Sequence, residues 1–512
     1  MHAKVYSATT IGINAHVVDV EVDLSFGLIN FFIVGLADKA IKESKERVRA
    51  ALKNSGFRMP ERLVTVNLAP ASLKKEDVLF DVPITIAILQ AAGLIALNVQ
   101  LIQETLFLGE LSLDGNIKPV RGVLSIAHSA VLQGKKRIII PHDNVHEASL
   151  VKDIEIIGVK SLIELVGYLR GEITIEPTPS CFDQFEQERL QYLVNFDQVK
   201  GQALAKRALQ VAAAGRHNVI FIGSPGAGKT MLAKRLGTIL PPMSFDEVIE
   251  TTKIYSIAGL LGNQPLVVQR PFRAPHHTIS QAGLVGGGSV PKPGEISLAH
   301  NGVLFLDELP EYTRSVLEVL REPLENGHVL ISRASCAIDY PSSFLLIAAM
   351  NPCPCGFYGD RKKTCICSPM HIAKYLSKLS GPLLDRIDLH VHVASIDYQE
   401  LKHSALAKKS SEEMYDDVQR AVAIQYKRLG RAARNATMTS TEVEQLCVLT
   451  PDAEQTIKAA FDKLGLSMRG YHKILKISRT IADLQASEMI EKHHIQEAIM
   501  YRSLDQKLNV IQ

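Results

Sequence analysis

A short segment near the middle of the chain has glycines, a lysine and a threonine at the spacing of a phosphate-binding loop. The segment comprises Gly223, Ser224, Pro225, Gly226, Ala227, Gly228, Lys229 and Thr230. It satisfies the pattern G-x-x-x-x-G-K-[S/T], with an apolar run before it and a helical pattern after it. Glycine lets backbone N–H groups converge on phosphate oxygens, Lys229 would bridge the β- and γ-phosphates, and the Thr230 hydroxyl would hold Mg²⁺. The segment therefore predicts a nucleoside triphosphate site; a glycine-rich turn before a helix is the structural alternative.

Two acids and an amide follow later apolar runs. Asp307 and Glu308 come directly after the run 303–306, and Asn351 closes the run that begins at Phe344. If both runs are strands of one parallel sheet, their carboxyl ends meet at the edge where doubly wound folds bind ligands. Asp307 could then orient a water of Mg²⁺, Glu308 could polarise the attacking water, and Asn351 could hold that water. The alternatives are solvated acids at a strand end and an amide that caps a turn.

A cysteine cluster follows Asn351. Four of the seven cysteines fall within fifteen residues, and they are Cys353, Cys355, Cys365 and Cys367. Residues i and i+2 of an extended segment face the same way, so each pair can present two thiolates to one tetrahedral zinc ion. This spacing favours a structural zinc site in a cysteine-rich insertion at residues 351–368. Buried free thiols, or disulfides in an oxidising environment, are the alternatives.

Three segments concentrate positive charge that could contact a nucleic-acid backbone without reading sequence. One spans residues 427–434, one lies inside the cysteine-rich insertion, and one is the glycine-containing segment 270–292, which could line a central pore. The candidate DNA contacts are Arg273, Lys292, Lys362, Lys363, Arg428, Arg431 and Arg434. Solvated surface is the alternative for all of them, and His276 and His277 of the third segment could simply pack or cap.

The composition is that of an ordinary globular chain. Its 512 residues predict about three domains of roughly 150 residues each. Fifty-seven Lys and Arg against 54 Asp and Glu give a net charge of +3, which excludes a strongly basic nucleic-acid tail. Residues 82–103 carry no charge, but polar residues, a proline and a glycine interrupt them, so we expect a buried helix and no membrane span. An odd cysteine count without a secretory leader pattern favours a reducing cytoplasm.

The β and helical patterns predict three domains. Residues 1–175 mix short β-rich runs with helical stretches, and residues 176–194, with two prolines and several acids, indicate a linker. Residues 195–396 alternate apolar β runs with helices, which favours a parallel sheet buried on both faces. Helical periodicity then dominates, and residues 397–512 predict a helical lid or bundle.

The order of these motifs resembles that of AAA+ ATPases of the magnesium-chelatase branch, and longer strings resemble the ComM/YifB family more narrowly. Those strings are residues 270–280, 293–300, 351–356 and 479–484. The likeness covers essentially the whole chain. It implies an α/β fold with an AAA+ P-loop ATPase core, an N-terminal α/β domain similar to the proteolytic domain of Lon, and a C-terminal helical lid.

The resemblance also implies roles that spacing alone does not assign. Asn351 would be the sensor-1 residue, Arg386 the arginine finger offered to a neighbouring subunit, and Arg469 the sensor-2 arginine at the start of the lid helix. An arginine finger stabilises charge on the γ-phosphoryl group, and one supplied by a neighbour makes hydrolysis depend on ring assembly. A surface ion pair with Asp385 or Asp388 is the structural alternative for Arg386.

The resemblance implies a hexameric, ATP-dependent helicase acting on single-stranded and branched DNA, with branch migration in natural transformation and homologous recombination as its task. In the Lon-like domain, residues 75–83 contain no serine and residues 120–125 no lysine, so we expect no activated hydroxyl and predict a scaffold without proteolysis. The alternative functions are a metal-chelatase motor subunit and a protein-remodelling ATPase.

Overall fold

The computed structural model describes most of the chain, and the described residues form two compact units. These residues are 1–35, 39–71, 73, 75, 78–180, 194–261, 266–288, 291–332, 337–360, 362–394 and 410–502. The first unit takes its described residues from 1–180 and 245–268, and the second from 194–244 and 269–502. Most of the predicted linker and the boundary at residue 396 lie outside the described residues, so the domain limits stay predictions.

The first unit contains a four-stranded sheet and a three-stranded parallel sheet. In spatial order the four strands are His2–Ile11, Asn14–Ser25, Leu63–Ala69 and Phe31–Val34. The parallel strands are Thr105–Phe107, Arg137–Pro141 and Glu155–Val159, and a short hairpin pairs Glu110–Leu111 with Ile117–Lys118. Along the second strand Val18, Val20 and Val22 are buried, as expected where one face of a sheet covers a core.

The helices of the first unit are Lys39–Asn54, Val78–Phe80 (3₁₀), Asp81–Ala91, Val99–Glu104, Val123–Leu132, His142–Asn144 (3₁₀), Val145–Ala148, Leu162–Leu169 and Phe245–Ala258. The uncharged stretch 82–103 forms parts of two helices where one was predicted, because the chain turns at Gly93 with a left-handed φ of +72°. Among the described residues, no helix is both long enough and apolar enough to cross a membrane.

One helix of the first unit comes from a distant part of the chain. Phe245–Ala258 follows the start of the second unit in sequence but packs with the first. The Ser256 hydroxyl donates to the Glu147 carboxylate over 2.7 Å. Burial raises the pKa of Glu147, and hydrogen bonds from Ser256 and the Leu124 N–H oppose that shift. This helix lies within the predicted core range 195–396 in sequence, and a helical pattern does not specify which surface a helix covers.

The second unit is built on a five-stranded parallel sheet, and four of its strands correspond to predicted apolar runs. In spatial order its strands are Phe272–Arg273, Val303–Leu306, Leu345–Met350, Val219–Ile222 and Leu389–His392. Every residue of the two strands that precede the loop and the acids is buried, which is typical of a sheet covered on both faces. Two hairpins pair Gly286–Gly287 with Lys292–Pro293 and His328–Ser332 with Ala337–Pro341.

Helices of the second unit continue to the end of the described chain. The α-helices are Ala203–Gly215, Lys229–Arg235, Gln281–Val285, Glu295–Leu298, Arg314–Glu318, Arg321–Asn326, Pro369–Leu376, Gly381–Leu384, Ser411–Leu429, Ser440–Leu446, Pro451–Leu464, Met468–Leu484 and Lys492–Met500. Short 3₁₀ turns are Phe196–Gln198, Leu236–Ile239, Leu309–Glu311 and Asn435–Thr437. Val418 and Ile477 of the last helices share one apolar core with Phe221 and Ile347 of the sheet. The C-terminal helices thus pack on the sheet, and their action as a lid stays a prediction.

Candidate functional site

The predicted phosphate-binding loop lies at the carboxyl end of a central strand. Val219–Ile222 leads into Gly223, and the following helix begins at Lys229. Gly226 and Gly228 have φ of +79° and +91°. L side chains rarely adopt this conformation, so glycine is required where the backbone curls around the place of the phosphates.

Lys229 is buried, with 9% of its surface exposed. Its ammonium donates to the carbonyl oxygens of Gly223 and Ser224 over 2.6 and 3.1 Å, and to Oδ1 of Asn351 over 3.1 Å. Burial lowers the pKa of Lys229, and the charges of Asp307 and Glu308 oppose that shift. The three acceptors are neutral, so a phosphate that enters the loop would bring Lys229 a charged partner.

The structure brings Thr230 and Asp307 together at the same edge of the sheet. The Thr230 hydroxyl donates to Oδ2 of Asp307 over 2.7 Å, and the Glu308 N–H donates to Oδ1 of Asp307 over 2.9 Å. Hydroxyl and carboxylate oxygens are ligands that Mg²⁺ prefers. The pair therefore fits the predicted magnesium position beside the phosphate loop.

Glu308 contacts a histidine that spacing did not connect with it. Nδ1 of His277 lies 3.3 Å from Oε2 of Glu308, whose backbone has a left-handed φ of 52°. The ring of Tyr312 packs edge-on against His277, and the Tyr312 hydroxyl donates to the Pro275 carbonyl over 2.6 Å. The predicted catalytic carboxylate is thus engaged by the segment before the acids. Sequence reasoning missed this role because the two partners are 31 residues apart in the sequence.

The four clustered cysteines bring their sulfur atoms to one point. All four Sγ atoms lie within 4.8 Å of one another, and the distances among Cys353, Cys355 and Cys365 are 3.3 to 3.7 Å. A tetrahedral zinc ion with Zn–S bonds of about 2.3 Å needs sulfur atoms about 3.8 Å apart, so the cluster fits that ion. Hydrogen bonds from backbone N–H groups at Phe357 and Ile366 lower the pKa of Cys355 to about 6, which favours a thiolate at neutral pH.

The cysteine-rich insertion contacts the phosphate-binding loop directly. The Ser224 hydroxyl donates to Oδ2 of Asp360, which lies between the two cysteine pairs. Gly356 has a φ of +85°, and a Cβ placed there would lie 2.6 Å from Cδ of Pro225. The insertion therefore packs on the loop through both a hydrogen bond and a close backbone approach. No spacing rule predicts either contact.

The predicted finger and sensor-2 arginines lie together, away from the phosphate loop. Arg386 pairs with Glu325, and Nη2 of Arg469 lies 3.3 Å from the same carboxylate. The side-chain amide of Asn218 donates to the Arg386 carbonyl over 3.0 Å, which puts Arg386 at the amino end of the strand that leads into Gly223. Four strand residues at about 3.3 Å each separate that end from the loop by about 13 Å.

Both arginines line a cavity that also contains Arg216, Lys473 and Lys476. Lys473 lies 3.0 Å from Asp388, and the charge of Lys473 and a hydrogen bond with His217 hold the pKa of that carboxyl well below its usual range, against the opposing effect of burial. The predicted alternative, a surface pair of Arg386 with Asp385 or Asp388, is not the pairing found: Glu325 is the carboxylate in contact.

Three of the predicted DNA contacts are already paired within the protein. Arg428 makes two bonds of 2.6 Å to the buried carboxylate of Asp483. Arg431 donates to both carboxylate oxygens of Glu442 over 2.7 and 3.0 Å. Arg273 donates to both carboxylate oxygens of Glu295 over 2.6 and 2.7 Å. Asp483 also pairs with the buried Arg479, so Arg428 belongs to a buried ion-pair cluster, and its position does not favour a phosphate contact.

The remaining candidates differ in exposure. Arg434 is 8% exposed, and its guanidinium lies 4.6 Å from the ring centre of Tyr426. Lys292, Lys362 and Lys363 are exposed. These lysines are therefore the candidates that a nucleic acid could reach most readily.

Three parts of the chain match families of known proteins. Residues 195–401 match Magnesium chelatase, subunit ChlI; residues 20–144 match Subunit ChlI of Mg-chelatase; residues 408–502 match Magnesium chelatase, subunit ChlI C-terminal. The chain is 44% identical over 507 residues to Competence protein ComM of Haemophilus influenzae, covering 98% of this chain and 97% of that protein. It is 40% identical over 506 residues to the protein YifB of Escherichia coli, with 98% and 97% covered.

A magnesium chelatase subunit is a more distant relative. The Magnesium-chelatase 67 kDa subunit of Chlorobaculum parvum is 26% identical over 162 residues, which is 31% of this chain and 24% of that protein. Similarity to the first two relatives extends over nearly the whole chain, whereas similarity to this chelatase subunit is confined to about a third of it.

Proposed function

The chain belongs to the ComM/YifB family of magnesium-chelatase-like proteins, and on that premise we propose that it is an ATP-driven motor that acts on DNA. The proposed ATPase activity rests on two hydrogen bonds at one edge of a parallel sheet, which join Lys229 to Asn351 and Thr230 to Asp307. The similarity to a competence protein supports DNA as the polymer. We propose a cytoplasmic location, which the odd cysteine count favours.

The residues at this edge would have separate roles in ATP hydrolysis. Lys229 and the backbone of the glycine-rich loop would bind the phosphates, and Thr230 and Asp307 would hold Mg²⁺, which would neutralise phosphate charge. Glu308 orients and polarises the attacking water, and Asn351 holds that water in line with the γ-phosphate. His277 contacts Oε2 of this carboxylate, and in the proposed cycle Glu308 leaves His277 before it acts on the attacking water.

The position of Arg386 and Arg469 supports a ring. Both lie at the amino end of the sheet, so they would complete the site of a neighbouring chain and not their own. Glu325 contacts both arginines, and in the proposed ring the γ-phosphate of the neighbouring chain would replace it. We propose a hexamer in which each interface joins one phosphate loop to one arginine pair.

Exposed lysines supply the DNA contacts in this proposal. Lys292 lies in a hairpin of the segment predicted to line a pore, and Lys362 and Lys363 lie in the cysteine-rich insertion. Six copies of each would concentrate charge that a chain total of +3 conceals. Single-stranded and branched DNA are the proposed substrates, and branch migration in transformation and recombination is the proposed task.

Two structural assignments accompany the motor. The cysteine cluster would hold a structural zinc ion, as its sulfur distances allow. The first unit would be a Lon-like scaffold without proteolysis: within the matching stretch, Asp81 is buried in an ion pair with Arg47 at 2.6 Å, and the Lys75 ammonium donates to the carbonyls of Gly35 and Leu68 over 2.9 Å. Neither arrangement supplies an activated nucleophile.

The function is tested by measuring ATP hydrolysis with single-stranded DNA, forked DNA, unfolded protein or a porphyrin, followed by displacement of a labelled strand from a branched substrate. We expect both DNAs to stimulate hydrolysis and the labelled strand to be released only with ATP. Stimulation by porphyrin or unfolded protein instead, with no gel-stable DNA complex, would reject the DNA motor in favour of a chelatase-type or protein-remodelling ATPase.

A further inference from the structure

The cysteine-rich insertion cannot hold its shape by burying apolar surface. Among its described residues Cys353 is buried, whereas Tyr358 is 50% exposed and Ile366 is 88% exposed. No regular helix or strand occurs among its described residues. A loop of this kind needs a cross-link to stay ordered, and four converging thiols offer one through a metal.

Asp360 connects this loop to the phosphate-binding loop. Its Oδ1 accepts from the backbone N–H groups of Lys362 and Lys363 over 2.7 and 3.1 Å, which fixes the carboxylate within the insertion. Its Oδ2 accepts from the Ser224 hydroxyl. One carboxylate therefore holds both the local turn and the second residue of the phosphate loop.

The positions of the cysteines set the position of Asp360. Cys353 and Cys355 precede it and Cys365 and Cys367 follow it, so one metal bound to both pairs closes the chain around Asp360. The same closure presses Gly356 against Pro225, where a Cβ would come within 2.6 Å of the ring. The insertion between the cysteine pairs thus contacts two neighbouring residues of the phosphate loop, Ser224 and Pro225.

We infer that zinc bound by the four cysteines is a clamp on the phosphate-binding loop, and that ATP affinity depends on it through the contacts of Asp360 with Ser224 and of Gly356 with Pro225. The inference rests on the ATP site and the zinc site proposed above, and it gives the zinc a role in ATP binding. The loss of zinc frees the insertion, the loop loses its outer support, and ATP binds less tightly.

The first test removes the metal without touching the loop. The full chain carrying both Cys365→Ser and Cys367→Ser is compared with the Ile366→Ser variant, which changes an exposed residue between the two ligands. Zinc per chain is measured by elemental analysis, and ATP affinity by titration with a fluorescent nucleotide. We expect about one zinc and unchanged affinity in the control, and in the double variant no zinc and ATP affinity lower by about tenfold.

Two results would overturn the inference. Wild-type protein prepared without added zinc that holds far less than one zinc per chain would remove the metal site. A double variant without zinc that binds ATP as tightly as wild type would remove the clamp. Neither result depends on DNA, and loss of nucleotide binding in Lys229→Ala separately establishes whether the ATP site itself is correctly assigned.

The second test keeps the metal and removes the contact between Asp360 and Ser224. It therefore tests the inference even if the double cysteine variant fails to fold. Asp360→Asn, Ser224→Ala and the combination of both are measured in the same way. We expect zinc to remain, ATP affinity to fall by about three- to tenfold in each single variant, and the combination to be no weaker than either. Additive losses, or tighter ATP binding in Asp360→Asn, would show that the two residues act separately and would refute the clamp.

Discussion

At the carboxyl end of the sheet in the second unit, a buried ammonium donates to neutral oxygens, whereas at the amino end two guanidinium groups already share the Glu325 carboxylate. The first end brings hydroxyl, carboxylate and amide groups together beside the predicted phosphate-binding loop. The second end has two cations, Arg386 and Arg469, which contact one carboxylate, Glu325. In the motor proposed above, neither end would be a complete ATPase site, and the two ends would be halves that meet between chains.

The largest effect is expected from Lys229→Ala, which removes the buried cation of the first end. ATP binding should fall by at least about 100-fold, because the β- and γ-phosphates lose their charged partner in a site of low dielectric. Equilibrium binding of a fluorescent nucleotide measures this. The Lys234→Ala variant, which changes a lysine one turn along the same helix, should bind normally; normal binding by Lys229→Ala would mean that nucleotide binds elsewhere.

Arg386→Ala tests the second end. Hydrolysis should fall by about 10³-fold with ATP binding retained, since an arginine finger acts on the transition state. Mixing this variant equally with Lys229→Ala sharpens the test, because about one interface in four would then combine an intact loop with an intact arginine. Partial recovery of hydrolysis is expected in the mixture, with Arg314→Ala as a neutral control. A mixture as inactive as its components would place Arg386 in its own chain's site.

Glu308→Gln should slow hydrolysis by about 10²- to 10³-fold, because the amide cannot polarise water, while ATP still binds. The bound nucleotide should then hold both halves together, so light scattering should detect stable rings at saturating ATP. The control is Glu311→Gln, an exposed acid three residues further on. A Glu308→Gln protein that stays monomeric with ATP bound would contradict assembly driven by nucleotide.

The smallest effect concerns His277, which engages Glu308 at the first end. His277→Ala should release the carboxylate and raise the DNA-independent hydrolysis rate by about two- to fivefold. His371→Ala, which changes an exposed histidine of helix Pro369–Leu376, should leave the rate unchanged. If the rate falls in His277→Ala, the histidine orients Glu308 for catalysis and does not hold it back.

The strands that lead into the first end could be predicted from the sequence, whereas long-range side-chain contacts could not. Buried strands are continuous apolar runs, so the runs before Gly223 and Asp307 were correctly placed, and parallel topology brings their carboxyl ends together. The contacts of Asp360 with Ser224 and of Arg428 with Asp483 join residues 136 and 55 positions apart. A charge pattern does not reveal such partners, because an exposed arginine and a buried, paired arginine look alike in sequence.

The excursion of helix Phe245–Ala258 into the first unit has a consequence for biosynthesis. Residues 1–180 leave the ribosome well before Ser256. The Glu147 carboxylate therefore lacks the Ser256 hydroxyl as a donor until part of the second unit has been synthesised. At about 5–20 residues per second this delay lasts several seconds. The nascent first unit meanwhile exposes the surface that the helix will cover, which makes this stage of translation the one at which a chaperone would be most useful.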